Sequence, residues 1–262
     1  MRSILLLPPA SCLLPSLMRV SLPFLLFCVF FSGCSDRATV TTVPSPVVSV
    51  SPSPSPPISI EDKKESDRYR QLGLQYRRAG DFNKSIDALE KSVALNPENR
   101  SGRVILGWTQ HLAKQPEKAR ETLEETVKRY PDDVPALNAL GIVYLVAGDL
   151  DRAIETHTRA ARLQPGNEIA HYNRSLAYHR RGEFDRAIAD ATEAARLEPS
   201  NPHPLVALAM IYRDQGDTAR AGETYNRAVR LDNRYRQRWF LAHLAEAGFS
   251  PEQIESVKKL LQ

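Results

Sequence analysis

Six histidines, three cysteines and a scatter of carboxylates are what this sequence offers for catalysis or metal binding. The histidines (His111, His157, His171, His179, His203 and His243) include no HExxH pair and no spacing that brings two imidazoles to one metal. There is no glycine-rich phosphate loop and no Gly-x-Ser-x-Gly elbow. The carboxylates are spread along helical faces rather than paired. The sequence is therefore read as holding no catalytic residue, no cofactor site and no metal site. The cysteines say more. Cys12, Cys28 and Cys34 all fall in the first 34 residues, so nothing downstream can form a disulfide or act through a thiol. Cys34 alone stands where a thiol has a use, at the end of an apolar run and directly after Ser32-Gly33.

That apolar run, Val20 to Phe31, follows Arg19 and is 12 residues long. A bilayer-spanning helix needs about 20 residues, so the run has the length of a signal-peptide apolar region instead. Phe31-Ser32-Gly33-Cys34 resembles the bacterial lipobox, with Phe31 where leucine is usual. The resemblance implies that Cys34 carries lipid on its sulfur and becomes the mature amino terminus of a membrane-anchored envelope protein. Ser35 is not an acidic retention residue, which favours the periplasmic leaflet of an outer membrane. Ahead of Arg19 lies a second apolar run, Leu5 to Leu17, broken by Pro8, Pro9 and Pro15. Two readings stand for it: translation from Met18, or one long leader over residues 1–34.

Residues 35–65 read as a linker. Val43 to Pro57 alternates proline with serine and valine, which cannot bury a core and favours polyproline II. At about 3.1 Å per residue, some 30 residues reach on the order of 90 Å. A docking motif for an aromatic groove is the rival reading, but no PxxP with a flanking charge occurs.

The elements beyond the linker follow a period of 34. Gly148-Asp149-Leu150-Asp151-Arg152-Ala153-Ile154 lies over Gly182-Glu183-Phe184-Asp185-Arg186-Ala187-Ile188, and Pro97, Pro131, Pro165 and Pro199 keep the same interval. Leu137, Leu140, Gly141 and Tyr144 share one helical face. Gly148 can end that helix in the left-handed conformation, Asp149 can cap the next, and Pro165 stops it. Ala153, His157 and Ala160 line one side of the second helix. A fixed period of this length marks a stacked array. The pattern resembles the tetratricopeptide repeat family. Five units fit, at 66–99, 100–133, 134–167, 168–201 and 202–235. The second carries Gln115-Pro116 where the others carry Gly-Asp, and the fourth carries Arg174-Ser175 for Leu-Gly. The expected fold is all-α: a solenoid of five helical hairpins, its helices at 66–79, 82–95, 100–113, 116–129, 134–147, 150–163, 168–181, 184–197, 202–215 and 218–231. Residues 236–262 should supply a capping helix pair over the exposed face of the fifth unit, with Ser250, Pro251 and Gln253 opening the last helix.

The resemblance implies a concave groove lined by the first helix of each unit. Its positions here are Arg70, Leu74 and Arg77; Val104, Trp108 and His111; Asn138, Ile142 and Leu145; Tyr172, Leu176 and His179; Val206, Met210 and Arg213. The middle of this surface is apolar and aromatic, and its ends are basic. Trp108 is the expected anchor for a protein or peptide partner, since the period does not require a large residue there. The competing reading is that these side chains pack helix against helix. Leu74 and Val104 fall where a clamp for chaperone carboxyl termini needs polar groups, so no such clamp is expected. Lys and Arg number 35 against 31 Asp and Glu, a net +4 that gives no argument for nucleic acid. A basic cluster, Arg227, Arg230, Arg234, Arg236 and Arg238, has only Asp232 against it. The sequence points to an envelope scaffold for a partner protein, with self-association through that basic end as the alternative; the oligomeric state is left open.

Overall fold

Every helical hairpin is set by side chains at its ends. Asp133, Asp149, Asn167 and Asp217 accept hydrogen bonds from backbone N–H groups two or three residues into the helices that follow them. These bonds satisfy amides that have no partner within the helix. Gly148 and Gly216 close α5 and α9 in the left-handed conformation, at φ +84° and +100°. The second unit departs here. The backbone places Lys114, not Gln115, at the glycine position, and Lys114 takes φ +60° as the one non-glycine residue with positive φ among those described.

The computed structural model describes residues 57–261. The leader over 1–34, Cys34 and the linker as far as residue 56 lie outside them. The helices are α1 (Ile60–Arg78), α2 (Phe82–Leu95), α3 (Arg100–Leu112), α4 (Pro116–Arg129), α5 (Val134–Ala147), α6 (Leu150–Leu163), α7 (Glu168–Arg180), α8 (Phe184–Leu197), α9 (Pro202–Gln215), α10 (Thr218–Leu231) and α11 (Pro251–Lys258). No strand occurs among the described residues. α1 begins at Ile60, six residues inside the span read as linker. Ser59 caps it by accepting from the Asp62 N–H, with Glu61 and Asp62 in its first turn.

Within each of the first three units the two helices touch at a glycine. A Cβ placed on Gly107 would lie 2.6 Å from Leu123, and one on Gly141 would lie 2.5 Å from the His157 ring. The fourth unit has no such pair. Ser175 and Ala191 hold the two equivalent positions, both fully buried. Arg174 turns to the buried Asp190, donating from Nε at 2.6 Å and from Nη2 at 2.7 Å. His171 Nδ1 lies 2.9 Å from the same carboxylate. Burial raises the Asp190 carboxyl, but the bonds from Arg174 and His171 outweigh it and hold it below the ordinary carboxylate range.

Successive hairpins stack through one main core running from Val104 to Val257. A smaller cluster of Ile86, Leu89 and Leu106 joins the first unit to the second. The first helices approach one another directly, α3 to α5, α5 to α7 and α7 to α9, more closely than the second helices do. The array therefore curves with its first helices on the inner, concave side.

The carboxyl end differs from a simple pair of capping helices. Two 3-10 segments, Asn233–Arg236 and Arg238–Ala247, replace the expected α-helix, and a third, Lys259–Leu261, follows α11 at the end of the described residues. The segment covers part of α10, as expected of a cap, but it also packs on α9 and reaches α7 across the inner face.

Candidate partner groove

The inner face divides into two halves. In the half formed by α1, α3 and the exposed part of α5, Arg70, Leu74, Arg77, Trp108, His111, Asn138 and Ile142 are all partly exposed. Arg70 is tied to Asp67 at 3.2 Å. Asn138 Oδ1 accepts from Asn167 Nδ2 at 2.9 Å, which holds its amide. Trp108 and His111, one turn apart on α3, have ring centroids 5.1 Å apart. Burial lowers the His111 imidazole below its ordinary pKa, so at neutral pH it adds no charge.

Two polar groups in this half are left without partners. The Trp108 Nε1–H and one terminal nitrogen of Arg77, Nη1, are buried and unbonded among the described residues. Burial lowers the Arg77 pKa from its usual value, and the adjacent Arg78 adds to the effect. Arg77 stays cationic, because guanidinium does not deprotonate in this range. A desolvated, unpaired guanidinium is costly, and a carboxylate is the group that relieves the cost. Arg77 and His111 are 34 residues apart, at equivalent places on the first helices of neighbouring units, so the open half presents one unpaired cation on α1 and a tryptophan on α3.

The other half is not open, and here the sequence expectation needs correction. Leu145, Leu176, Val206 and Met210 are fully buried, and Val104 and Tyr172 nearly so. Val104 packs within the helix array. The rest lie under or beside the carboxyl-terminal segment. The Tyr172 hydroxyl donates to the Ala247 carbonyl at 2.7 Å, and the Phe249 ring sits 6.4 Å from the Tyr172 ring. A Cβ on Gly248 would meet Asn173, Leu145 and Leu176 at 3.4 to 3.6 Å. Gln253 Nε2 donates to the Leu176 carbonyl at 3.1 Å and lies 3.0 Å from His179 Nδ1. His179 Nε2 faces Asp214 at 2.9 Å, Ser256 donates to Asp214 at 2.5 Å, and Arg213 donates to it at 2.8 Å. Asp214, Gln253, Asn173 and Gly248 were not singled out from the sequence as groove residues. The serine–proline–glutamine start of α11 was legible, but nothing local showed which face would receive it.

Four overlapping segments, residues 70–134, 113–168, 138–202 and 172–236, match the family profile described as tetratricopeptide repeat. These matches span well over half of the chain. The chain belongs to the tetratricopeptide repeat family. Solved tetratricopeptide structures resemble it along most of their own length. A crystal structure of MamA shares 24% identity with a TM-score of 0.56, covering 62% of this chain and 95% of that one. TTC0263, a thermophilic tetratricopeptide protein of Thermus thermophilus, shares 23% identity with a TM-score of 0.57, covering 70% and 98%. MamA from residue 41 of Desulfovibrio magneticus shares 17% identity with a TM-score of 0.58, covering 64% and 96%. At these identities the likeness concerns the fold. No curated protein sequence matches the chain.

Tetratricopeptide arrays are in general scaffolds for protein partners, and this one has the surface for that work. Among the described residues no cluster of three His, Cys, Asp or Glu side chains is placed to hold a metal ion. No described helix is long and apolar enough to cross a membrane. In this tetratricopeptide array the accessible part of the concave face can bury an apolar side chain against Trp108 and Ile142 and pair a carboxylate with Arg77.

Proposed function

We propose that the chain is an envelope scaffold, tethered through lipid on Cys34, that holds an acidic peptide segment of a partner protein in the open half of its groove. The observation that carries the reading is that the Arg77 guanidinium on α1 and the Trp108 indole on α3, both on the inner face, have no hydrogen-bond partner for Nη1 and Nε1. An acidic segment supplies a carboxylate for the exposed part of the Arg77 guanidinium and an apolar side chain for the exposed part of the indole, which is how a small number of residues dominate a peptide interface. The linker supports the tether, because it is long enough to keep the array clear of a membrane while leaving the groove accessible. The buried part of the groove adds a restriction: the partner occupies the first three units only.

Selection of random peptides displayed on phage against the full chain tests the groove. The enriched peptides are expected to carry Asp or Glu next to an apolar residue. Trp108→Ala should weaken their binding by about tenfold or more, as loss of a central aromatic anchor does. Arg77→Gln should remove the acidic preference while leaving apolar selection. Enrichment of basic peptides, or equal binding by both variants, would overturn the groove. The tether is tested by fractionating cells that produce Cys34→Ser: the variant should move from the membrane to the soluble fraction, and unchanged membrane association would count against lipidation.

A further inference from the structure

The far end of the array gathers several exposed arginines that no carboxylate holds. Along the hairpins, exposed arginines are commonly pinned by a carboxylate one helical turn away, as Arg152 is by Asp149, Arg196 by Glu193 and Arg220 by Asp217. Between Arg227 and Trp239 the pattern changes. Arg227, Arg230, Arg236 and Arg238 are exposed and form no ion pair among the described residues. Arg234 alone is held, by Asp232 at 2.7 Å. Glu255 of the closing helix, which feels the charge of Arg238, is engaged by Lys258 at 2.5 Å.

The same stretch exposes apolar surface. Trp239 is 73% exposed, and Leu231 is exposed as well. Arg227, Arg230 and Leu231 share one face of α10 by their three- and four-residue spacing. The following turn is fixed from inside, because the Tyr225 hydroxyl donates to the Tyr235 carbonyl at 2.8 Å and Tyr235 is buried. α10, the short 3-10 turn and the start of the longer one pack consecutively, so the free guanidinium groups and the indole all fall at this end of the array. An indole left in water among unpaired arginines is the composition suited to a lipid interface. The cations meet headgroup phosphates, and the amphipathic ring sits at headgroup depth.

We propose that the stretch from Arg227 to Trp239 docks on the surface of an anionic phospholipid bilayer. Duplex nucleic acid would engage the arginines but give the indole no pocket. A second copy of this stretch would bring like charges together. The proposal is independent of the lipid on Cys34, and the test is chosen to keep the two apart.

The full chain has two tryptophans, so Trp108→Phe leaves Trp239 as the sole indole reporter. Its emission is followed with vesicles of equimolar phosphatidylglycerol and phosphatidylcholine, with vesicles of phosphatidylcholine alone, and with a duplex DNA. The wild-type minus Trp239→Phe difference spectrum gives the same reading should Trp108→Phe disturb the array. Insertion of the amino-terminal leader does not move this signal. A blue shift is expected with the anionic vesicles only, and raising salt from about 0.1 M to about 0.5 M should reverse most of it. The pair Arg236→Gln and Arg238→Gln should lower the apparent vesicle affinity about tenfold or more. No shift with anionic vesicles, an equal shift with phosphatidylcholine, a shift with DNA alone, or a shift that depends only on protein concentration would each overturn the proposal.

Discussion

A buried histidine occupies the position that Leu89 and Leu123 hold in the first two units, packed on Gly141 as they pack on Gly73 and Gly107. Neither ring nitrogen of His157 finds a hydrogen-bond partner among the described residues. Burial is the largest cause that brings its pKa from 6.5 down to about 3, and the cationic Arg174 nearby adds to it. A folded pKa below the unfolded one means that the unfolded chain takes up the proton first. The contribution is intact above pH 6.5 and is lost as pH falls from there toward 3. Between pH 7 and pH 5 the loss is about 2 kcal/mol, at about 1.4 kcal/mol per pH unit below 6.5. His157→Leu restores the side chain of the neighbouring units and should flatten that dependence in urea titrations at the two pH values. An unchanged slope would place the acid sensitivity elsewhere, with His203, whose pKa burial lowers to about 4, the next residue to replace. Lys114 is the second departure. At φ +60° it occupies a conformation that costs a side-chain-bearing residue about 1 kcal/mol more than glycine. Lys114→Gly should therefore raise the urea midpoint by an amount worth about 0.5–1 kcal/mol. The histidine was legible as a packing residue from its helical spacing. The lysine was not, because reading Gln115-Pro116 against Gly-Asp slips the second unit by one residue, and only the backbone angles restore the register.

The carboxyl-terminal segment is the element whose path the sequence could not supply. Its breaks were written plainly: Gly248 takes φ +87°, and Ser250 and Gln253 form a reciprocal capping box at the start of α11. Its destination depends on bonds across more than seventy residues, from Tyr172 to Ala247 and from Gln253 to Leu176, which leave no periodic trace. The 34-residue beat placed the repeat helices to within one residue, apart from the start of α1, because each is packed by its own landmarks and most are capped by their own side chains. It also assigned Leu145, Leu176 and Met210 to an open groove, since a repeat register cannot know that the same chain later covers them. Gln253 is the link most exposed to test. Its side chain closes the capping box and reaches both the Leu176 carbonyl and His179. Gln253→Ala removes these bonds together and should destabilise the segment by about 2–3 kcal/mol. In hydrogen exchange, amides of residues 238–258 should lose protection while those of α3 to α6 keep theirs. A uniform loss across the chain would mean that the segment is not a separable element.

Stability in a stacked array is a sum of units and of the contacts between neighbours, so the molecule need not open at one free energy. The two ends of this array are secured differently. The main core runs continuously from Val104 through the fifth unit and into Leu241, Leu244, Phe249 and Val257 of the closing segment. That segment ties α7 and α9 together from the inner side, adding long-range contacts to a fold otherwise built from neighbours. The first unit has no equivalent. It meets the second through Ile86, Leu89 and Leu106, and its own helices rely on polar bonds inside the hairpin. Ser66 Oγ donates to the Ser92 carbonyl and Ser92 Oγ to the Ser66 carbonyl, each at 2.8 Å, and Ser85 Oγ donates to the Gly73 carbonyl at 2.7 Å. Net hydrogen bonds of this kind add only about 1 kcal/mol each, less than a buried leucine contributes. Native-state hydrogen exchange should therefore show α1 and α2 opening first, at a lower free energy than α5 to α9. Equal opening energies along the array would refute this. The groove makes the same gradient useful: Arg77 stands on the less secured first unit and Trp108 against the main core, so a partner bridging them should raise the protection of α1 and α2 and leave α7 and α9 unchanged.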